Sequence, residues 1–155
     1  MSYELLKWIH ILSATLLFGT GLGSAFYKWM ADRSGDVYAI AQTNRTVVLA
    51  DWLFTTPMAF VQPITGVMLV NLLGFPWLSP WLVATYVLYA IAGICWLPVV
   101  WLQIKMQKLS DKAVTDGTAL TEEYHRLARY WFWLGVPAFL AFVAIFFLMV
   151  FKRLG

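Results

Sequence analysis

The chain has 155 residues, 61% hydrophobic and 12% charged, with nine tryptophans and a mean hydropathy of +0.72. A soluble domain of this length turns much of its surface to water and could not hide so much apolar area, so the composition excludes a soluble fold and implies a membrane protein. The net charge of +3 falls in connecting stretches, as topology signals do, and calls for no nucleic-acid partner.

Four apolar segments are long enough to cross a hydrocarbon core of about 30 Å, which takes roughly 20 residues each. They are predicted at Leu5–Tyr27, Val47–Leu72, Trp81–Ile104 and Tyr130–Phe151. With no internal repeat and no second domain, residues 1–155 read as one all-α membrane domain, an antiparallel four-helix bundle. The first apolar run is too long for a cleavable signal peptide and is expected to be retained.

Segment 1, KWIHILSATLLFGTGLGSAFYKW, places His10, Ala14, Leu17, Gly21, Ser24 and Lys28 on one face. Thr15, Gly19 and Gly23 share the opposite face, a small-xxx-small pattern that permits close helix approach. Two packing faces predict a central position for this helix or a contact with a second copy. The stretch from Lys28 to Thr46 reads as a loop carrying Lys28, Arg33 and Arg45.

Segment 2 contains DWLFTTPMAFVQPITG, in which Asp51, Thr55, Met58, Gln62 and Thr65 form one polar stripe. Lipid cannot solvate such a stripe, so it must face other helices or a wet cavity. Pro57 and Pro63 each remove a backbone donor and predict a kink. The uncharged LGFPWLSP then makes a tight turn.

Segment 3 sets Tyr89, Gly93, Trp96, Val100 and Gln103 on one face, with Pro98 as a further kink site. Trp96 lies about mid-segment, where its indole N–H needs a partner. Cys95 is the one cysteine, so an internal disulfide is excluded and a packing role is expected. Ser110 to Thr121 reads as the one substantial soluble loop, and Thr121 with Glu122 and Glu123 marks a helix start that runs into segment 4. Beyond Pro137 that segment has no polar side chain, which predicts a lipid-facing helix.

Basic residues favour the cytoplasm. Lys28, Arg33, Arg45, Lys105, Lys108, Lys112, Arg126 and Arg129 stand on one side against Lys7, Lys152 and Arg153 on the other, so both termini are predicted to be periplasmic.

Two groups of residues could carry chemistry. His10, the one histidine inside a hydrophobic segment, could ligate haem iron or relay a proton; the alternative is a hydrogen-bonded packing histidine. His125 falls on the opposite side, which disfavours bis-histidine ligation, and Met68, at about the depth of His10, is the better sixth ligand, with Met149 another. At the other level Lys28, Arg45, Asp51, Gln103 and Lys105 should converge, Asp51 pairing with Arg45, Lys28 or Lys105. Lys28, Arg45, Asp51, Thr55, Gln62, Trp96 and Gln103 form the candidate intramembrane polar set. No CxxC, HExxH, phosphate-binding glycine loop or hydrolytic triad is present in the sequence.

The stretches KWIHILSATLLFGTGLGSAFYKW, ADWLFTTPMAFVQPITG, CWLPVVWLQIKM and FFLMVFK together resemble the integral-membrane family known as domain of unknown function 2269. The resemblance covers essentially the entire chain. It implies a small bacterial four-helix inner-membrane protein, with no established activity or catalytic residues to carry over. More distantly, a His early in the first helix followed by a small-residue run is similar to the HemJ-type membrane protoporphyrinogen oxidases, which bind haem; that likeness is confined to the His10 region. Three readings remain open: a redox-linked protein holding b-type haem on His10, an accessory or scaffold subunit of a membrane complex, and a small transporter that would use Asp51, Thr55 and Gln62 and would need to oligomerise. The bilayer is the certain partner, and a second copy or another membrane subunit the further one.

Overall fold

The computed structural model describes residues 2–152. Four helices follow one another: α1 (Tyr3–Ser34), α2 (Val37–Leu73), α3 (Pro80–Asp116) and α4 (Glu122–Phe151), each long and apolar enough to cross a membrane. No strand occurs among the described residues. At 1.5 Å per residue, α3 is about 55 Å long, well beyond the roughly 30 Å hydrocarbon core, so helix ends project from it.

Local chemistry sets the helix boundaries. Ser2, Asp36 and Thr121 cap α1, α2 and α4 by accepting bonds from the first-turn amides of Leu5, Tyr38 and Tyr124. Gly35 and Gly117 end α1 and α3 with φ of +71° and +63°, a region that favours glycine. The expected loop from Lys28 to Thr46 is therefore helical except around Gly35 and Asp36. The expected loop from Ser110 likewise begins only at Gly117. Both stretches are polar but contain no proline, and one glycine in each provides the stop. The helix start at Thr121 is as the sequence predicts.

Just ahead of Pro57, where a kink is expected, the helix changes its hydrogen-bonding pattern. Asp51–Thr55 is a π-helical turn inside α2, in which the Thr56 N–H donates to the Asp51 carbonyl. A proline ring clashes with the carbonyl four residues earlier, and a wider turn just ahead of Pro57 relieves that crowding. Pro63, Pro98 and Pro137 lie inside continuous helices.

The helices pack in chain order, α1 on α2, α2 on α3 and α3 on α4. The close backbone approach of α1 is to α2, so the central place expected for it is not taken. α1 reaches α4 through aromatic side chains, Phe18 stacking on Phe139 at 5.6 Å and meeting Phe146 edge-on at 5.3 Å. One buried core, with Ile40, Leu102, Met106, Tyr124, Leu127 and Trp131, fills the end that carries the basic residues. A smaller one around Val70, Trp81, Leu82 and Leu148 closes the other end. Between them the outer surface is apolar; Phe139, Leu140, Val143, Phe147 and Val150 of α4 are exposed, as a lipid-facing helix requires.

Candidate functional site

Two polar networks hold the bundle, one near each end. In the first, His10 of α1 meets the C-terminal half of α2. Thr65 donates its hydroxyl to the Val61 carbonyl at 2.7 Å, so toward His10 it can only accept, and His10 Nδ1–H donates to Thr65 Oγ1 at 2.8 Å. That leaves His10 Nε2 to accept from the Gln62 amide at 3.2 Å, while Gln62 Oε1 accepts from the Ser13 hydroxyl. The donor count thus assigns the ring proton to Nδ1. Gly66 makes room for the imidazole, since a Cβ there would come within 3.4 Å of His10 Cε1.

The second network centres on Lys28, which is 1% exposed. Its ammonium donates to Asp32 at 3.0 Å, Asn44 Oδ1 at 2.8 Å and the Tyr124 hydroxyl at 3.0 Å, so all three protons have acceptors. Tyr124 in turn donates to the other Asp32 oxygen at 2.6 Å. Asn44 Nδ2 donates to Ser110 Oγ at 3.0 Å and to Tyr124 at 3.1 Å. The Trp131 ring faces the ammonium at 5.2 Å. Side chains from all four helices meet here. Along α1 the two networks are about 27 Å apart at 1.5 Å per residue, close to the thickness of the hydrocarbon core.

Between them lies Asp51, 5% exposed at the start of the π-helical turn. It accepts from Thr55 at 2.8 Å, and Gln103 of α3 lies beside the carboxyl with its Oε1 buried and without a donor among the described residues.

Away from these networks, a groove runs between α1 and α2. It encloses about 630 Å³ and is lined by Thr15, Gly19, Thr20 and Gly23 on α1 and by Gln42, Thr43, Thr46 and Phe54 on α2. A Cβ added at Gly19 or Gly23 would meet nothing within 4 Å. The small-residue stripe of α1 therefore lines an open groove and makes no close contact within the chain.

The family model described as predicted integral membrane protein, DUF2269, matches residues 4–153. This chain belongs to the DUF2269 family. No curated protein and no solved structure matches it. The four long apolar helices agree with the DUF2269 description, whereas the likeness of the His10 region to HemJ-type proteins finds no counterpart in these comparisons.

In this DUF2269 chain the candidate residues of the sequence separate into several places. The cations expected beside Asp51 are engaged elsewhere: Lys28 with Asp32, Arg45 with Asp111 at 2.7 Å, and Lys105 with Glu123 at 2.6 Å. Thr55 and Gln103 do adjoin Asp51, but Gln62 belongs to the His10 network. Trp96 is half-buried two turns along α3 from Gln103. Met68 is exposed, and both ring nitrogens of His10 are met by Thr65 and Gln62. Among the described residues no three His, Cys, Asp or Glu side chains group as a metal cage. Sequence reasoning missed Asp32, Asn44, Ser110 and Tyr124; the available signal was the i,i+4 spacing of Lys28 and Asp32.

Proposed function

We propose that the protein is an accessory or scaffold subunit of a membrane complex, and that the α1–α2 groove docks a transmembrane helix. The groove is the observation that carries this reading. Thr15 and Thr20 put hydroxyls on its wall at the depth of the hydrocarbon core, where a partner helix shields them from lipid, and the glycine stripe lets another backbone approach closely. The inward direction of the His10 and Lys28 networks supports the same reading, because those polar groups bind this chain's own helices to one another. The occupant we assign is α1 of a second copy, whose own Thr15–Gly19–Gly23 face suits a two-fold contact. The basic residues support a bacterial inner-membrane placement with that end cytoplasmic and both termini periplasmic.

The test is the mass of the protein–detergent complex by light scattering. Wild type should be dimeric and the Gly19→Leu/Gly23→Leu variant monomeric. The added side chains meet nothing within the chain, so the fold should survive them. A monomeric wild type overturns the assigned occupant.

A second reading, b-type haem on His10, is favoured by one observation: with the ring proton on Nδ1, the Nε2 lone pair is the nitrogen that would face iron. Gln62 would have to leave Nε2, and Met68 would have to turn inward to serve as a second ligand.

A further inference from the structure

A cleft of about 550 Å³ lies between the C-terminal end of α1 and the first turns of α4, at the end of the bundle that carries the basic residues. Arg33, His125 and Arg129 stand on its rim, with Trp29 and Phe132 as aromatic walls. Arg33 lies over the Trp29 ring at 4.9 Å, which holds its guanidinium at the opening.

Two acids also line the cleft, but neither cancels the arginines. Asp32 is bound through both oxygens, to Lys28 and to Tyr124. Glu122 occupies the first turn of α4, where unpaired amides and the helix dipole offset its charge. Trp131 forms part of the lining, is 7% exposed, and its indole N–H has no acceptor among the described residues. A buried donor without a partner is costly, and an anion oxygen reaching it after a small shift of the lining side chains would relieve it.

We propose that this cleft binds the phosphate of an anionic membrane phospholipid. Arginine matches phosphate oxygens in a bidentate fork, and basic pockets at the cytoplasmic ends of membrane helices are suited to such headgroups. The bilayer, and not the aqueous phase, is the source because Trp29 and Phe132 are 40% and 45% exposed and continue the apolar outer surface along which acyl chains lie. The site is independent of the groove and of the proposed helix docking.

Native mass spectrometry of the intact protein in mild detergent tests it, with phosphatidylglycerol or phosphatidylcholine added at equal concentration. The protein should retain phosphatidylglycerol preferentially. Arg33→Gln/Arg129→Gln should weaken retention by roughly ten- to thirtyfold. Arg126→Gln, an exposed cation outside the cleft lining, should change it much less. Trp131→Phe keeps an aromatic side chain and removes the N–H, and should lower retention severalfold. Retention unchanged in both cleft variants, or equal for the two lipids, overturns the proposal. So does competition by inorganic phosphate at the lipid's own concentration, which would make the cleft a soluble-anion site.

Discussion

Lys28 of α1 and Tyr124 of α4, 96 positions apart in the chain, meet at 3.0 Å, and each is also bonded to a carboxylate oxygen of Asp32. A buried ammonium is tolerated because three acceptors surround it, and the half-buried carboxylate is held by two donors. Lys28→Met leaves Asp32 without its cation and should destabilise the protein by about 3–5 kcal/mol, read as a lowered unfolding midpoint in detergent. Lys28→Met/Asp32→Asn should recover part of that loss. A double variant that loses the sum of both single effects would show that the two side chains are not coupled.

Tyr124→Phe tests the hydroxyl alone. It strips a partner from Lys28, from Asp32 and from Asn44, all in buried or half-buried positions. The expected cost is about 1–3 kcal/mol, with the helical circular dichroism of the folded protein unchanged.

Asp51→Asn should behave differently from Lys28→Met. Among the described residues Asp51 has no cation within ion-pair distance, so no opposite charge is orphaned, and Asn can still accept from Thr55. Its new N–H₂ can also donate to the buried Gln103 Oε1 that lacks a donor. The unfolding midpoint should hold within about 1 kcal/mol or rise. A loss as large as that of Lys28→Met would mean that a cation stabilises Asp51 after all.

The fate of Asp51 marks how far the sequence could be read. Hydropathy located four helices, because in lipid every backbone group must be satisfied within the segment and only long apolar helices do so. It also turned Asp51, Thr55 and Thr65 inward correctly, and all three are buried. It could not choose their partners. Antiparallel packing brings Lys28, Arg45 and Lys105 into the same half of the bundle, but which of them faces a given carboxylate depends on rotation about each helix axis, and the π-helical turn at Asp51–Thr55 resets that phase. The Lys28 network was obscured for a related reason: Asp32, Asn44 and Ser110 lie in stretches polar enough to pass for loops, yet they are helical and project where the best-filled core forms. The groove is a third case. GxxxG signals close approach without saying whether the approaching helix belongs to the same chain.

The haem reading has its own measurement. Visible spectra of the protein expressed with ample haem, oxidised and then reduced, would carry a Soret band that sharpens on reduction and vanishes in His10→Ala. If His10 serves packing through Thr65 and Gln62, the spectra are featureless and His10→Ala costs about 1–3 kcal/mol of stability instead.

The central claim is that the open face of α1 is covered by a second α1. It is tested most directly by oxidative cross-linking in native membranes, with Cys95 replaced by Ser and one new cysteine at position 19. Gly19→Cys should give a disulfide-linked dimer, and Leu140→Cys, on the exposed face of α4, should give little. Cross-linking at position 19 no greater than at position 140 would contradict the account.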